Sequence, residues 1–430
     1  MKSTAPDKTP PRPSDISYHV GLYLAANAVS DCALVVDGPN CIMPKAEYVL
    51  GNHDLYSALL SPENRHRLIY TMAGPVADGE NPEVRLSALL RGAADSGCFS
   101  AVLLTGLPFR KLAGIDHEGL AASAGGKAPV VHVPSLSLEA DWLEGYAMGL
   151  DALIRALPAA GKKRQKNSVA IAGYLLDRRE QDHAANIAEL TALLEACGLR
   201  VLCVFPSGGT LRQLSRALEA DLVISLPYGR RAARRLAGLS GARLVETGLP
   251  MGLKGTRRWL ETVRRAAGLR GPLPGSVKLM EKTAAAAVAP FAQALAHRNA
   301  AFAGDPHLFA GFADLAAGFC MRVTAVFINS RRAPLDASRP PAELLFSPVV
   351  GEAAAALARM GTYARPEIMV GNSFAFSEGL ADGMSFVELG FPSYGHHCLA
   401  PEPFLGFAGV KALAGRLLNA AVAADGRRGI

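Results

Sequence analysis

The chain carries seven cysteines and ten histidines in 430 residues, and two short segments place them where chemistry needs them. In Asp37-Gly38-Pro39-Asn40-Cys41 an apolar β-branched run ends in a Gly-Pro pair, which makes a sharp turn and holds Cys41 just past it. A thiolate at that point, at a helix start, gains from the helix dipole and the free amide groups, which suits iron binding. The alternative is a small apolar residue packed under the turn. Downstream, Gly51-Asn52-His53-Asp54 reads as a loop or helix cap in which His53 is a ligand, a proton donor or a surface residue, with surface or capping use favoured. The second segment, 390–398 (GFPSYGHHC), sets His396, His397 and Cys398 side by side in a Gly/Pro loop. Two adjacent imidazoles and a thiol form a composition that binding sites favour.

The other cysteines carry less. Cys197 and Cys203 flank the start of a strand, whereas paired zinc ligands are set roughly two to four residues apart in a tight turn. Together with Cys32, Cys98 and Cys320 they read as core residues. The turns Ser207-Gly208-Gly209-Thr210 and Gly371-Asn372-Ser373 offer amides to an anion. Neither completes a phosphate-binding motif, so nucleotide binding is not expected.

These segments have to be positioned by a scaffold. Short β-branched runs alternate with longer amphipathic stretches from end to end, the pattern of parallel sheets with crossover helices. Strands are expected at 33–37, 67–72, 101–105, 129–133, 168–174, 199–205, 221–225, 243–246, 300–303, 322–328, 367–370 and 385–388. Helices are expected at 141–157, with Asp141 as N-cap, at 277–299 and at 406–424. The charged stretch 159–167 (AAGKKRQKN) and the break 271–275 (GPLPG) divide the rhythm. The resulting fold class is α/β: three stacked Rossmann-like domains, each a parallel sheet of about four strands flanked by helices, at 15–160, 161–272 and 273–430, after a flexible tail at 1–14. In such sheets ligands sit beyond the carboxyl ends of the strands. Cys41 and the loop 391–398 both lie at such ends.

Half of the residues are apolar and 19% are charged, enough for several cores and a large subunit interface. No apolar run approaches the roughly 20 residues of a membrane helix, and the polar, Pro-rich start does not read as a signal peptide. A cytoplasmic protein with no membrane association is expected. The scattered, odd number of cysteines argues against a secreted disulfide framework. The net charge of +7 does not imply nucleic acid, because Arg230, Arg231, Arg234 and Arg235 recur at helical spacing, as on a solvated face that could meet an acidic protein.

Taken in order, VVDGPNC, AVLLTGLP, PEIMVGNS and GFPSYGHHCLAPEPFLGFAG resemble the nitrogenase component 1 family. That family includes both subunits of the molybdenum–iron protein, the paired scaffold on which its cofactor matures, and the dark-operative protochlorophyllide and chlorophyllide reductases. The resemblance implies a subunit of an oxidoreductase, closest to a beta-type or scaffold-type chain. It would receive electrons from an ATP-dependent iron–sulfur reductase protein and reduce a small molecule or a tetrapyrrole. Cluster scaffolding without turnover, or a purely structural partner, are the alternatives. Cys41 matches the family's cysteine after the first Gly-rich turn. No cysteine stands after AVLLTGL, at Leu107, or between Leu22 and Ala28, so the set for an eight-iron cluster is incomplete. The implied cofactor is a [4Fe–4S] cluster shared with an alpha-type homologue or a second copy of the chain. Asp37 and His53 are its supporting or alternative ligands. At the positions of the nitrogenase active-site cofactor ligands, His396 matches the histidine and Ser225 replaces the cysteine, so intact molybdenum nitrogenase activity is not implied. His396 and His397 are expected as catalytic residues, and Cys398 and Ser225 as cofactor-binding residues, around an inter-domain cavity that holds substrate or a second metallocluster.

Overall fold

The computed structural model describes residues 16–57, 59, 67–74, 81–158, 163–207, 209–331 and 341–427. The expected tail, part of the link at 159–162 and Gly208 lie outside them. The strands fall into three wholly parallel sheets. The first holds β1 (Cys32–Asp37), β2 (Leu68–Tyr70), β3 (Ala101–Gly106) and β4 (Val130–His132), in the order β2-β1-β3-β4. The second holds β5 (Gln165–Ala172), β6 (Arg200–Phe205), β7 (Ala220–Ser225) and β8 (Arg243–Glu246), in the order β6-β5-β7-β8. The third adds β9 (Asn299–Gly304), β10 (Arg322–Ile328), β11 (Glu343–Phe346), β12 (Ile368–Gly371) and β13 (Ser385–Glu388), in the order β11-β10-β9-β12-β13. Central strands such as β1 and β3 are buried along their whole length, as parallel strands covered on both faces must be.

Four expectations change. The link expected at 159–167 is partly strand, since β5 already begins at Gln165. The third sheet has a fifth strand, β11, whose four residues at the sheet edge are too few to set up a periodic signal. The helix expected over 277–299 ends its regular course at Val288, one residue before Ala289-Pro290-Phe291, because Pro290 lacks the amide the next turn requires. The last helix, Gly406–Arg427, is the one span among the described residues that is long and apolar enough to cross a membrane, by length and composition, contrary to the expectation from the sequence. Half of that span is buried within the protein, against β13 and the helices Gln181–Ala196, Gly252–Ala266 and Gly275–Val288.

The second sheet is the middle layer. Along β5 the side chains alternate between two cores: Ala170 and Ala172 join the cluster shared with the first sheet, while Val169 and Ile171 join the cluster shared with the third. The helix Trp142–Ala156, capped by Asp141 through the amides of Leu143 and Glu144 at 3.0 and 3.3 Å, packs on Tyr18–Ala28 with two glycines at the contact. A Cβ on Gly21 would stand 1.9 Å from the Trp142 carbonyl, and one on Gly145 would stand 2.0 Å from that of Tyr18.

The arginines on helix Arg230–Ser240 form a solvated face, as expected, and each is also paired within the chain. Arg231 pairs with Glu144, Arg235 with Asp151, and Arg230 and Arg234 with Glu246. Of the cysteines read as core, Cys32 opens β1 and is buried with Cys197, but Cys98 and Cys203 are partly exposed. Cys320 is exposed, in the left-handed backbone that closes helix Pro306–Gly318.

Candidate functional site

Cys41 stands exposed at the carboxyl end of β1, two residues before the helix Met43–His53. Its turn is fastened from below. Gly38 has φ +147, and a Cβ there would meet Leu107 at 2.7 Å, so only glycine fits. The Gly38 amide donates to Thr71 Oγ1 at 2.9 Å, and the Gly38 carbonyl accepts from Met72 N at 3.0 Å. Thr71 in turn donates to Asp37 Oδ1 at 2.8 Å, while Arg110 Nε and His117 Nε2 each lie 2.9 Å from Asp37 Oδ2.

Both Asp37 oxygens are therefore occupied, and of the two roles expected for Asp37, supporting residue or alternative ligand, its bonds fit the supporting one, as an anchor for the turn. Burial raises the Asp37 pKa, but the bonds from His117, Arg110 and Thr71 outweigh it and hold the carboxyl below its usual range. The His117 ring stacks on His132 with centroids 6.1 Å apart. Thr71, Arg110 and His117 were not expected from the sequence. Arg110 lies in the short helix Pro108–Leu112 that follows the end of β3, and the other two carry no local signal. Cys41 also lines a cleft of about 550 Å³ between the first and third sheets, with Lys45, Asp141, Asn329, Arg331 and Asn372.

His53 is not a surface residue. As the last residue of its helix it is fully buried, and Asp54 takes the cap position. Its Nδ1 accepts from Ser393 N at 2.8 Å, so Nε2 carries the proton and faces Asp177 Oδ2 at 3.2 Å. Burial acts to raise the Asp177 pKa, but the His53 contact and the neighbouring positive charges leave it lowered.

His53, Asp177, Tyr228, Asp305, Glu388 and Glu402 are among the residues around a cavity at the junction of the three sheets. Its volume is about 40 Å³, room for a few waters and not for a metallocluster or a tetrapyrrole. Asp305 caps helix Pro306–Gly318 through the amides of His307 and Leu308, both at 2.9 Å, and accepts from Tyr228 Oη at 3.1 Å.

His396, His397 and Cys398 do not line this cavity; they flank it. His396 Nε2 meets Glu402 at 3.1 Å, and His397 Nδ1 meets Glu180 at 2.6 Å. Cys398 is buried, which pushes its thiol up to about 12. Its amide donates to Glu180 at 2.7 Å. Arg178, bound to Asp182 through Nε at 3.0 Å and Nη2 at 2.7 Å, reaches the His396 carbonyl at 2.8 Å. Ser225 is corrected as a cavity residue: at the buried end of β7 its hydroxyl turns to the Leu226 carbonyl at 3.4 Å.

A three-layered α/β chain with a cysteine turn at the first sheet's carboxyl edge defines a class. The family model described as nitrogenase component 1 type oxidoreductase matches residues 85–421, and the chain belongs to that family. Among curated relatives, the B-type light-independent protochlorophyllide reductase subunit of Rhodopseudomonas palustris (strain TIE-1) is 32% identical over 178 residues, 38% of this chain and 31% of that protein. The N-type subunit of the same reductase from Prochlorococcus marinus (strain NATL2A) is 23% identical over 160 residues, 37% of this chain and 35% of that protein. The chain thus spans about a third of the length of these relatives. Among solved structures, one titled nitrogenase Cp1 at pH 6.5 is similar with a TM-score of 0.80 at 14% identity, covering 99% of this chain and 96% of that one. That likeness establishes the fold.

Proposed function

We propose that the chain is one subunit of a nitrogenase-like oxidoreductase and lends Cys41 as a single thiolate to a [4Fe–4S] cluster held jointly with an alpha-type homologue or a second copy. The observation that carries this reading is the exposure of Cys41 on a turn pinned through Thr71 and Asp37. Among the described residues the other cysteines lie at the start of β1, within β6, at helix ends or in the 391–398 loop. The donor set therefore fits one ligand of a shared cluster and not a cluster held by this chain alone. Tyr48, on the helix that Cys41 precedes, and Met72, bonded to Gly38 itself, are exposed apolar residues on this side of the first sheet. Such a patch favours a covered interface.

When bound, the cluster supplies one-electron redox chemistry, fed in this reading by an ATP-dependent iron–sulfur reductase protein. The residues of this chain hold the thiol in place, shield the buried side of the turn through Leu107, and keep Asp37 ionised beneath it.

Anaerobic co-purification with iron analysis and identification of the bound chains tests the proposal. Iron together with a homologous partner is expected, and an iron-free complex would overturn it. One observation favours a second reading, a partner or scaffold subunit without turnover of its own. The central cavity is nearly filled and its charges are paired, as in His53–Asp177 and Arg178–Asp182. In that case the complex would hold iron while its reducible substrate binds on the other chain. The substrate, a small molecule or a tetrapyrrole, would then be displaced by changes in the partner and not by changes here.

A further inference from the structure

Three side chains of different donor type converge beside the central cavity. His396 Nε2, Cys398 Sγ and Glu402 Oε2 lie within 4.8 Å of one another. The carboxylate oxygen stands 3.1 Å from the imidazole nitrogen and 3.7 Å from the sulfur. Tetrahedral sites with zinc-like bond lengths need ligand atoms about 3.3–3.8 Å apart, so little movement would close these donors on an ion.

The backbone already fixes them. The His396 carbonyl accepts from Arg178 Nη1 at 2.8 Å and from Ser393 Oγ at 3.2 Å, the Cys398 amide donates to Glu180 at 2.7 Å, and the Cys398 carbonyl accepts from Gln181 N at 3.1 Å. Glu388 takes the amides of Tyr394 and Gly395, each at 2.9 Å. Preorganised ligands with their own supporting bonds are what a metal site requires.

Charge also balances. One thiolate and one carboxylate neutralise a divalent ion. Two cations stand beside the donors: Arg178, whose Nη2 lies 3.7 Å from the sulfur, is bound by Asp182, and Arg416 lies 4.0 Å from the Glu402 oxygen that faces away from the imidazole. Sulfur also comes within 4.8 Å of Glu180 and Asp182. Those carboxylates are already taken by His397, the Cys398 amide and Arg178, which leaves the first trio as the ligand set. Access exists on one side, where the His396 and Glu402 side chains are 32% and 30% exposed and His396 borders an outer cleft of about 820 Å³.

We propose that His396, Cys398 and Glu402 bind one divalent ion of borderline softness, of the zinc or ferrous class, with water completing its coordination on the side of the outer cleft. Mixed N, S and O donors select this class over magnesium or calcium, which take oxygen ligands. The site is independent of the Cys41 turn.

The test uses the full chain, stripped with a chelator and titrated with Co²⁺. One equivalent should bind and give a thiolate-to-cobalt charge-transfer band that Zn²⁺ abolishes. Cys398→Ser should lose the band, and Glu402→Gln, a partly exposed position whose fold is checked by circular dichroism, should weaken binding by at least about 100-fold, more than loss of a supporting residue costs. Cys41→Ser should keep the band, which separates this site from the interface thiol. No band in the wild type at millimolar cobalt, an unchanged band in Cys398→Ser, or a band lost in Cys41→Ser would each overturn the assignment.

Discussion

Asp305 and Asp37 are both buried carboxyls at strand ends, yet their environments drive them in opposite directions. Burial raises the Asp305 pKa to about 6, against the bonds from Leu308, Tyr228 and His307. The folded state therefore binds this proton more tightly than the unfolded chain does. The stability it contributes is full below about pH 4 and is lost as pH rises through about 6, on the order of 3 kcal/mol. Asp305→Asn, which keeps a capping oxygen, should gain on the wild type in denaturant midpoint between about pH 4.5 and 7. A constant difference between the two would show that Asp305 does not titrate there. Asp37 has the other sign: its lowered pKa contributes stability above the ordinary carboxylate range and loses it in acid. Cys41→Ala should lower the iron of the anaerobic complex while changing fold stability by no more than about 0.5 kcal/mol, since the side chain is exposed. Unchanged iron would remove Cys41 as a ligand. Cys41 was legible in the sequence because a strand, a glycine turn and a thiol follow one another. The anchor beneath it was not, because Arg110 and His117 are 73 and 80 residues from Asp37 and meet it only through sheet pairing. Glu402 was legible in principle, six residues after His396, in a spacing that puts an oxygen opposite an imidazole across one loop.

The elements themselves were written more openly. Parallel strands buried on both faces read as short apolar runs, so all but one of the strands were found, and β11 was missed because it is a four-residue edge. The broken helix after Val288 has its signal in Pro290, set in an alanine-rich stretch whose composition otherwise favours a continuous helix. Helix contacts are harder to read, since a glycine needed for close approach looks like any other. At the crossing of Tyr18–Ala28 with Trp142–Ala156 the backbone is so near that Gly145→Ala should cost about 3 kcal/mol, measured by denaturant unfolding, because the methyl meets a carbonyl that cannot give way. Gly415, on the exposed side of the last helix with nothing near its Cβ position, is the control. Gly415→Ala should stabilise by up to about 1 kcal/mol through helix propensity. Equal effects at the two positions would contradict the described crossing.

At the scale of the molecule, the exposed apolar residues near Cys41 predict association. Light scattering at micromolar concentration should find dimers or larger species, or a complex with a homologous chain, and a well-behaved monomer would count against the interface cluster. The sequence announced three sheets but not how they share their interiors, because which face of β5 looks at which neighbour depends on packing between distant segments. That sharing has a consequence for solvent exchange. Amides of β5 and β7 are sandwiched between two cores built with the outer sheets, so no sheet can open by itself without stripping one side of the middle layer. Their deuterium uptake should therefore proceed through global unfolding, at one common free energy. Heat should melt the chain in a single transition whose calorimetric and van 't Hoff enthalpies agree, rather than in three steps.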